Sequence, residues 1–157
     1  MAAVLSYQPI VEQIWDALLD RLKSELPGLC AQAAVPTPAI MLSAGMKIVA
    51  DTLYLDYAGS RIDGRARQWI DFIYRFDCEI YSFHPSPDQV NRKAMRYEWA
   101  VRHALETGTY LDGIVQKVIC RDVDAGTLSP ISTQPLVHGT LLRIEVLARV
   151  PNPEDAQ

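Results

Sequence analysis

The residues of this chain with chemistry to offer are three histidines, three cysteines and a group of closely spaced aspartates. His84, His103 and His138 stand far apart, and none falls in HExxH, HxH or another spacing that puts two imidazoles on one metal. His84 precedes a proline where an alternating segment ends. His103 sits on the polar side of a helical pattern, so both are expected in structural or surface roles. Cys30, Cys78 and Cys120 form no CxxC pair and no zinc pattern. An odd count without a signal-peptide pattern predicts reduced thiols that act as small buried hydrophobes. Asp51, Asp56 and Asp63 are close enough in sequence to hold a metal or to work as acid and base. A small enzyme would have its site near Asp51, Asp56 and His138. No calcium-loop spacing, nucleophile elbow, P-loop or dinucleotide fingerprint accompanies these residues, and loop aspartates are ordinary turn formers. The expectation is a protein that is not an enzyme and uses no cofactor and no metal.

Charge narrows the partners. The 157 residues are 49% hydrophobic and 22% charged, the composition of one globular domain with a substantial core. The net charge of −4 argues against a dedicated nucleic-acid binder, which carries a basic excess. Two local basic groups stand out nonetheless. Arg61, Arg65 and Arg67 cluster in a polar stretch, and Arg92, Lys93, Arg96 and Arg102 fall on one helix. Either is a solvated face or a patch for DNA or an acidic partner; the Arg61–Arg67 stretch lacks the interleaved aromatics that stack bases. No apolar run reaches the ~18 residues needed to cross a membrane.

The elements that must position these residues are read from periodicity. Ile10, Val11, Ile14, Trp15, Leu18, Leu19, Leu22 and Leu26 recur at helical spacing, predicting an amphipathic helix over about 7–26. Ser6 is its expected N-cap, Pro9 lies in its first turn, and Pro27-Gly28 is expected to end it. Short strands are expected at Ala39–Leu42, Met46–Val49 and Leu53–Tyr57, followed by a polar loop from Gly59 to Arg67. The strongest β signal follows at Trp69–Phe83. Ile70, Phe72, Tyr74, Phe76, Cys78 and Ile80 share one parity; Asp71, Arg75, Asp77 and Glu79 share the other with Trp69, Ile73, Tyr81 and Phe83. A second helix is predicted over about 87–107, capped by Ser86 with Pro87 in its first position, burying Val90, Ala94, Tyr97, Val101, Ala104 and Leu105, and stopped by Gly108. Ile114–Val123 and Leu136–Val150 alternate as strands, with a turn at Asp124-Ala125-Gly126 and a loop over 127–135 between them. These predict an α+β fold, a mixed and mainly antiparallel sheet with both helices packed on one face. Residues 1–150 form one domain, and residues 151–157 are expected to be a flexible acidic tail.

Candidate interface residues are apolar side chains on faces that should be wet. Met95 and Trp99 form an i,i+4 pair opposite the buried stripe of the second helix. Leu53, Tyr54, Leu55 and Tyr57 suggest a projecting hairpin. Trp69, Tyr81 and Phe83 are candidates for contact between subunits on the second face of the long strand.

The order of these elements resembles the tail-terminator, or tail-completion, family of tailed bacteriophages and phage-like particles. The resemblance runs from about Ile10 to Val150. It rests on element order, on the helix Asp88–Glu106 leading into Ile114–Val123, and on the closing strand Leu136–Val150. It implies a homo-oligomeric ring, commonly a hexamer, in the tail or neck of a virion assembled in the host cytoplasm. Such a ring caps the tail tube and meets the head–tail connector and neck proteins. DNA passes non-specifically through its lumen, which Arg61, Arg65 and Arg67 are candidates to face. The alternatives from the residues themselves are a monomeric adaptor that adds a strand to a partner sheet and the small enzyme named above.

Overall fold

The computed structural model describes residues 8–42, 50–121, 124–128 and 136–152. Met46–Val49, Ser6 and residues 153–157 lie outside the described residues, as does most of the expected 127–135 loop.

The first helix, α1, spans Ile10–Gln32. It begins where Pro9, at φ −56° and ψ 150°, turns the chain, and no side chain caps it. It does not stop at Pro27-Gly28. Proline there removes the N–H that would bond to the carbonyl of Lys23. Both Pro27 and Gly28 are exposed, so water can serve that carbonyl. Leu29 and Cys30 meanwhile continue the buried stripe of Ile14, Leu18, Leu22 and Leu26, and their burial outweighs the proline defect.

A short strand, β1 (Ala39–Met41), runs parallel to β2 (Thr52–Arg65). The expected Leu53–Tyr57 strand is thus the first part of a longer one, and the expected polar loop is its second half. Pairing with β3 (Trp69–His84) continues through Gly59, Arg61 and Arg65 because two β-bulges, at Tyr57/Gly59 and Ile62/Gly64, absorb the glycines. Gly59 adopts φ +105°, which its lack of a Cβ allows. Only residues 66–68 remain as the hairpin connection.

The second helix, α2, spans Pro87–Glu106, with Ser86 Oγ accepting the Gln89 N–H at its start and Pro87 at the first position. A short 3₁₀ turn, Leu111–Gly113, leads into β4 (Val115–Arg121). A bulge between Val115 and Lys117 shifts the alternation, so that Val115 joins Val118 and Cys120 in the core while Ile114 stays outside it. The expected turn at Asp124-Ala125-Gly126 is instead the start of β5 (Ala125–Leu128). It pairs with the same edge of β6 (Leu136–Pro151) that β4 occupies, and in the same direction. Gly126 faces Gly139 across this pairing, so its turn-like composition reflects a strand crossing with no side chains.

The sheet order is β1-β2-β3-β6-β4, with β5 also on β6; every pairing except β1 with β2 is antiparallel. The fold is α+β. The core lies between the helices and one sheet face, where α1 and α2 pack on Leu53, Leu55, Phe76, Cys78, Leu142 and Ile144. Trp15 of α1 lies 6.0 Å from the Phe76 ring of β3. β6 continues to Pro151, opposite Trp69. The buried Asn152 donates its side-chain amide to Ala66 O and its backbone N–H to Gln68 O, so 151 and 152 are held on the hairpin connection.

Candidate interaction surfaces

The sequence-level enzyme residues are not assembled into one site. Asp51 precedes β2 and is consumed by structure. One carboxylate oxygen accepts the Phe83 N–H at 2.8 Å; the other accepts the Tyr97 hydroxyl at 2.8 Å and pairs with Lys93 Nζ at 2.7 Å. Asp56 lies in mid-strand directly opposite Asp77. His138 lies on β6 beside Thr140 Oγ1 at 3.3 Å, lining a small hollow with Asn91, Ala94, Glu98 and Ala125. Burial lowers its pKa below the ordinary histidine value, so the neutral imidazole is favoured. Among the described residues no cluster of histidine, cysteine, aspartate and glutamate could hold a metal.

The thiols are buried, and burial raises all three pKa values: Cys120 to about 12, Cys30 and Cys78 upward as well. His103 stacks on Trp99 at the surface, and His84 Nδ1 accepts the Ser86 N–H ahead of α2.

The expected projecting hairpin is corrected by burial. Leu53 and Leu55 are fully enclosed in the core and Tyr54 is 3% exposed, so these three offer no surface to a partner. Leu53 and Leu55 are inside because β1 and β3 flank this part of β2 and the helices cover their face; Tyr54, of the other parity, is enclosed on the opposite face beside Tyr81. Tyr57, beyond the end of β1, is exposed and meets Phe76 edge-on at 5.6 Å.

The sheet face opposite the helices is laced with opposite charges. Asp71 accepts two hydrogen bonds from Arg149, at 2.8 and 3.0 Å. Arg121 meets Glu145 at 3.0 Å, and Arg143 approaches Asp77 at 3.8 Å. The Arg149 guanidinium also lies 4.5 Å from the Trp69 ring centroid, and its hydrogen bonds hold the Asp71 carboxyl below its ordinary pKa. Trp69 is 38% exposed there. Tyr81 and Phe83 are half-buried, with Tyr81 edge-on to Tyr54 at 6.0 Å and its hydroxyl donating to Glu79.

Arg61, Arg65 and Arg67 are all exposed at the hairpin end. They do not form one patch. Arg61 pairs in register with Ile73 and Arg65 with Ile70, residues of opposite parity, so the bulged strand sends them to opposite faces.

Among the described residues, two open apolar surfaces stand out. On α2, Met95 is 67% and Trp99 42% exposed, above a shallow hollow shared with Gln32, Ala33 and Arg96. At the hairpin end, a groove of about 910 Å³ is lined chiefly by Ile10, Trp69, Ile70, Phe72, Ile114 and Val150. The sequence pattern names Met95 and Trp99. It does not name the groove, because Ile10, Phe72 and Ile114 come from three distant segments that only the sheet register and the start of α1 bring together.

No protein-family model matches the sequence, and no curated protein matches it. Among solved structures, the fold is similar to a chain described as the virion of a native gene transfer agent (GTA) particle. The likeness has 11% sequence identity and a TM-score of 0.50 over 90% of this chain and 100% of that one. It shows a shared fold that spans nearly the whole of both chains.

Proposed function

We propose that the protein is a structural subunit of a tailed phage or phage-like particle and has no catalytic role. In this reading it forms the tail-terminator or neck ring, commonly a hexamer, that caps the tail tube and joins it to the head connector. DNA passes through the lumen. The observation that carries the reading is the near full-length fold likeness to a chain of a gene transfer agent virion. Two physical features fit it. Asp51, the best-placed of the candidate carboxylates, is engaged in holding the fold. The cross-strand pairing of arginines with carboxylates gives a face that would not grip phosphates by charge, as a DNA conduit requires.

The test is negative-stain imaging of the purified protein, together with immunogold labelling of purified particles. Rings with a central hole, and label at the head–tail junction, are expected. Particles that carry no copy of the chain, or that carry it only as a monomer, would sink the reading.

A further inference from the structure

The two open apolar surfaces lie at opposite ends of α1. Ile10 and Gln13, in its first turn, line the groove; Gln32, its last residue, and Ala33 line the hollow beside Met95 and Trp99. At 1.5 Å per residue, this 23-residue helix separates them by about 33 Å. They also differ in form. One is a concavity walled by Phe72, Ile114 and Val150; the other is a pair of side chains standing off a helix, with Met95 as the most exposed large hydrophobic residue described. Each is larger than a scattered surface residue needs explaining, and each is unlike the other.

The charges beside them are opposite. Arg96 lines the hollow next to Trp99, and Arg92 lies one turn before it, already paired with Asp88. Beside the groove, exposed Glu12 and Asp16 flank Gln13 on α1; Asp16 lies one turn on from that lining residue and accepts from Gln8, while Arg149, which also lines the groove, is already paired with Asp71. A ridge with a cationic rim and a groove with an anionic rim complement one another, and neither complements itself.

We propose that the occupant of the groove is a second copy of this chain: Met95 and Trp99 of one subunit seat between Phe72, Ile114 and Trp69 of the next, with Arg96 reaching Asp16 and Glu12. The contact is heterologous. Each subunit uses its ridge once and its groove once, and repetition closes a ring or runs on as a filament. The proposal rests on the ring reading above and names the surfaces that would build it.

The test is a crosslink between two variants that each add one exposed cysteine, Met95→Cys and Ile114→Cys, prepared separately and mixed with a short bismaleimide. Both positions are exposed, so the fold should survive, and the native thiols are buried and will not compete. The expected result is a crosslinked dimer in the mixture and none in either variant alone. Crosslinking within a single-variant sample would make the contact isologous and overturn the proposal. So would no crosslink in the mixture. A thiol at position 114 that reacts with maleimide only after deletion of residues 2–7 would assign the groove to the chain's own N-terminal segment, also overturning it. Rings that form without the mixed crosslink would reject this pairing and leave the ring reading intact. A mixed crosslink in protein that forms open chains would support the pairing and reject the closed ring.

Discussion

Lys93 and Asp51 form a half-buried ion pair, 2.7 Å from ammonium to carboxylate, at the point where α2 crosses the ends of β2 and β3. The pair joins distant segments. Lys93 also donates to Phe83 O at 2.9 Å, Asp51 takes the Phe83 N–H, and the Tyr97 hydroxyl lies within 2.8 Å of Asp51 and 2.7 Å of Pro36 O. Side-chain exposures of 17% and 11% leave little water to replace a lost partner.

Removing one side of this pair should therefore cost more than an ordinary surface ion pair. Lys93→Met leaves the carboxylate with its neutral donors only, and Asp51→Ala also strands the Phe83 N–H. We expect losses of about 2–4 kcal/mol for either, read as a lower urea midpoint with an unchanged slope. The double variant should lose less than the sum of the two, because a lone buried charge is what costs most. Additive losses would show that the two residues act independently.

Gly108 ends α2 at φ +93°, a conformation that side chains rarely adopt, and a Cβ there would run into the Arg21 guanidinium. That guanidinium lies 4.8 Å from the Tyr110 ring, whose hydroxyl donates to Leu105 O. Gly108→Ala should destabilise by about 1–3 kcal/mol. Combining it with Arg21→Ala should recover only part of the loss, since the clash goes but the backbone strain stays. Thermal melts of the three variants separate the two contributions, and full recovery would mean that the backbone at 108 is not strained.

His138 gives the stability a pH dependence with a definite sign. Its pKa is lowered by burial, so below the unfolded value, about 6.5, the unfolded chain binds the proton that the folded chain resists. The stability contributed by the neutral ring is fully present above that pH and falls as pH drops from it toward the lower folded pKa. His138→Gln should flatten the difference in unfolding free energy between pH 7.5 and 5.5 relative to the unaltered chain. An identical pH difference in both proteins would remove His138 as the cause.

What the sequence made legible follows from where periodicity and burial agree. The alternation of Trp69–Phe83 and of Leu136–Val150 predicted two long strands, and their register pairs them residue for residue along their length. Ser86-Pro87 marked the start of α2 to the residue. The misses lie where glycine or proline sits inside an element that tertiary contacts sustain. Pro27 interrupts no more than one exposed hydrogen bond of α1, Gly59 and Gly64 became bulges, and Gly126 became a strand residue opposite another glycine. The interaction surfaces divide in the same way. Met95 and Trp99 were visible because a helix has one predictable dry face. Leu53 and Leu55 were misread because nothing local says that β1 and β3 flank them.

Trp99 and Trp69 are both exposed, and substituting them should have different consequences. Trp69 supports Arg149 from its ring face at 4.5 Å, so Trp69→Ala removes an intrachain contact as well as one wall of the groove. Trp99 stacks on the exposed His103, at 5.5 Å between centroids, and is not a member of the buried core. Trp99→Ala should leave the melting temperature within about 2 °C of the unaltered protein. If Trp99 anchors contact between copies, the same change should weaken self-association ~30-fold or more, the scale of an interface hot spot. Sedimentation across a concentration series measures the second effect and a thermal melt the first. Unchanged association with an unchanged melt would leave Trp99 as a surface tryptophan with no role in assembly.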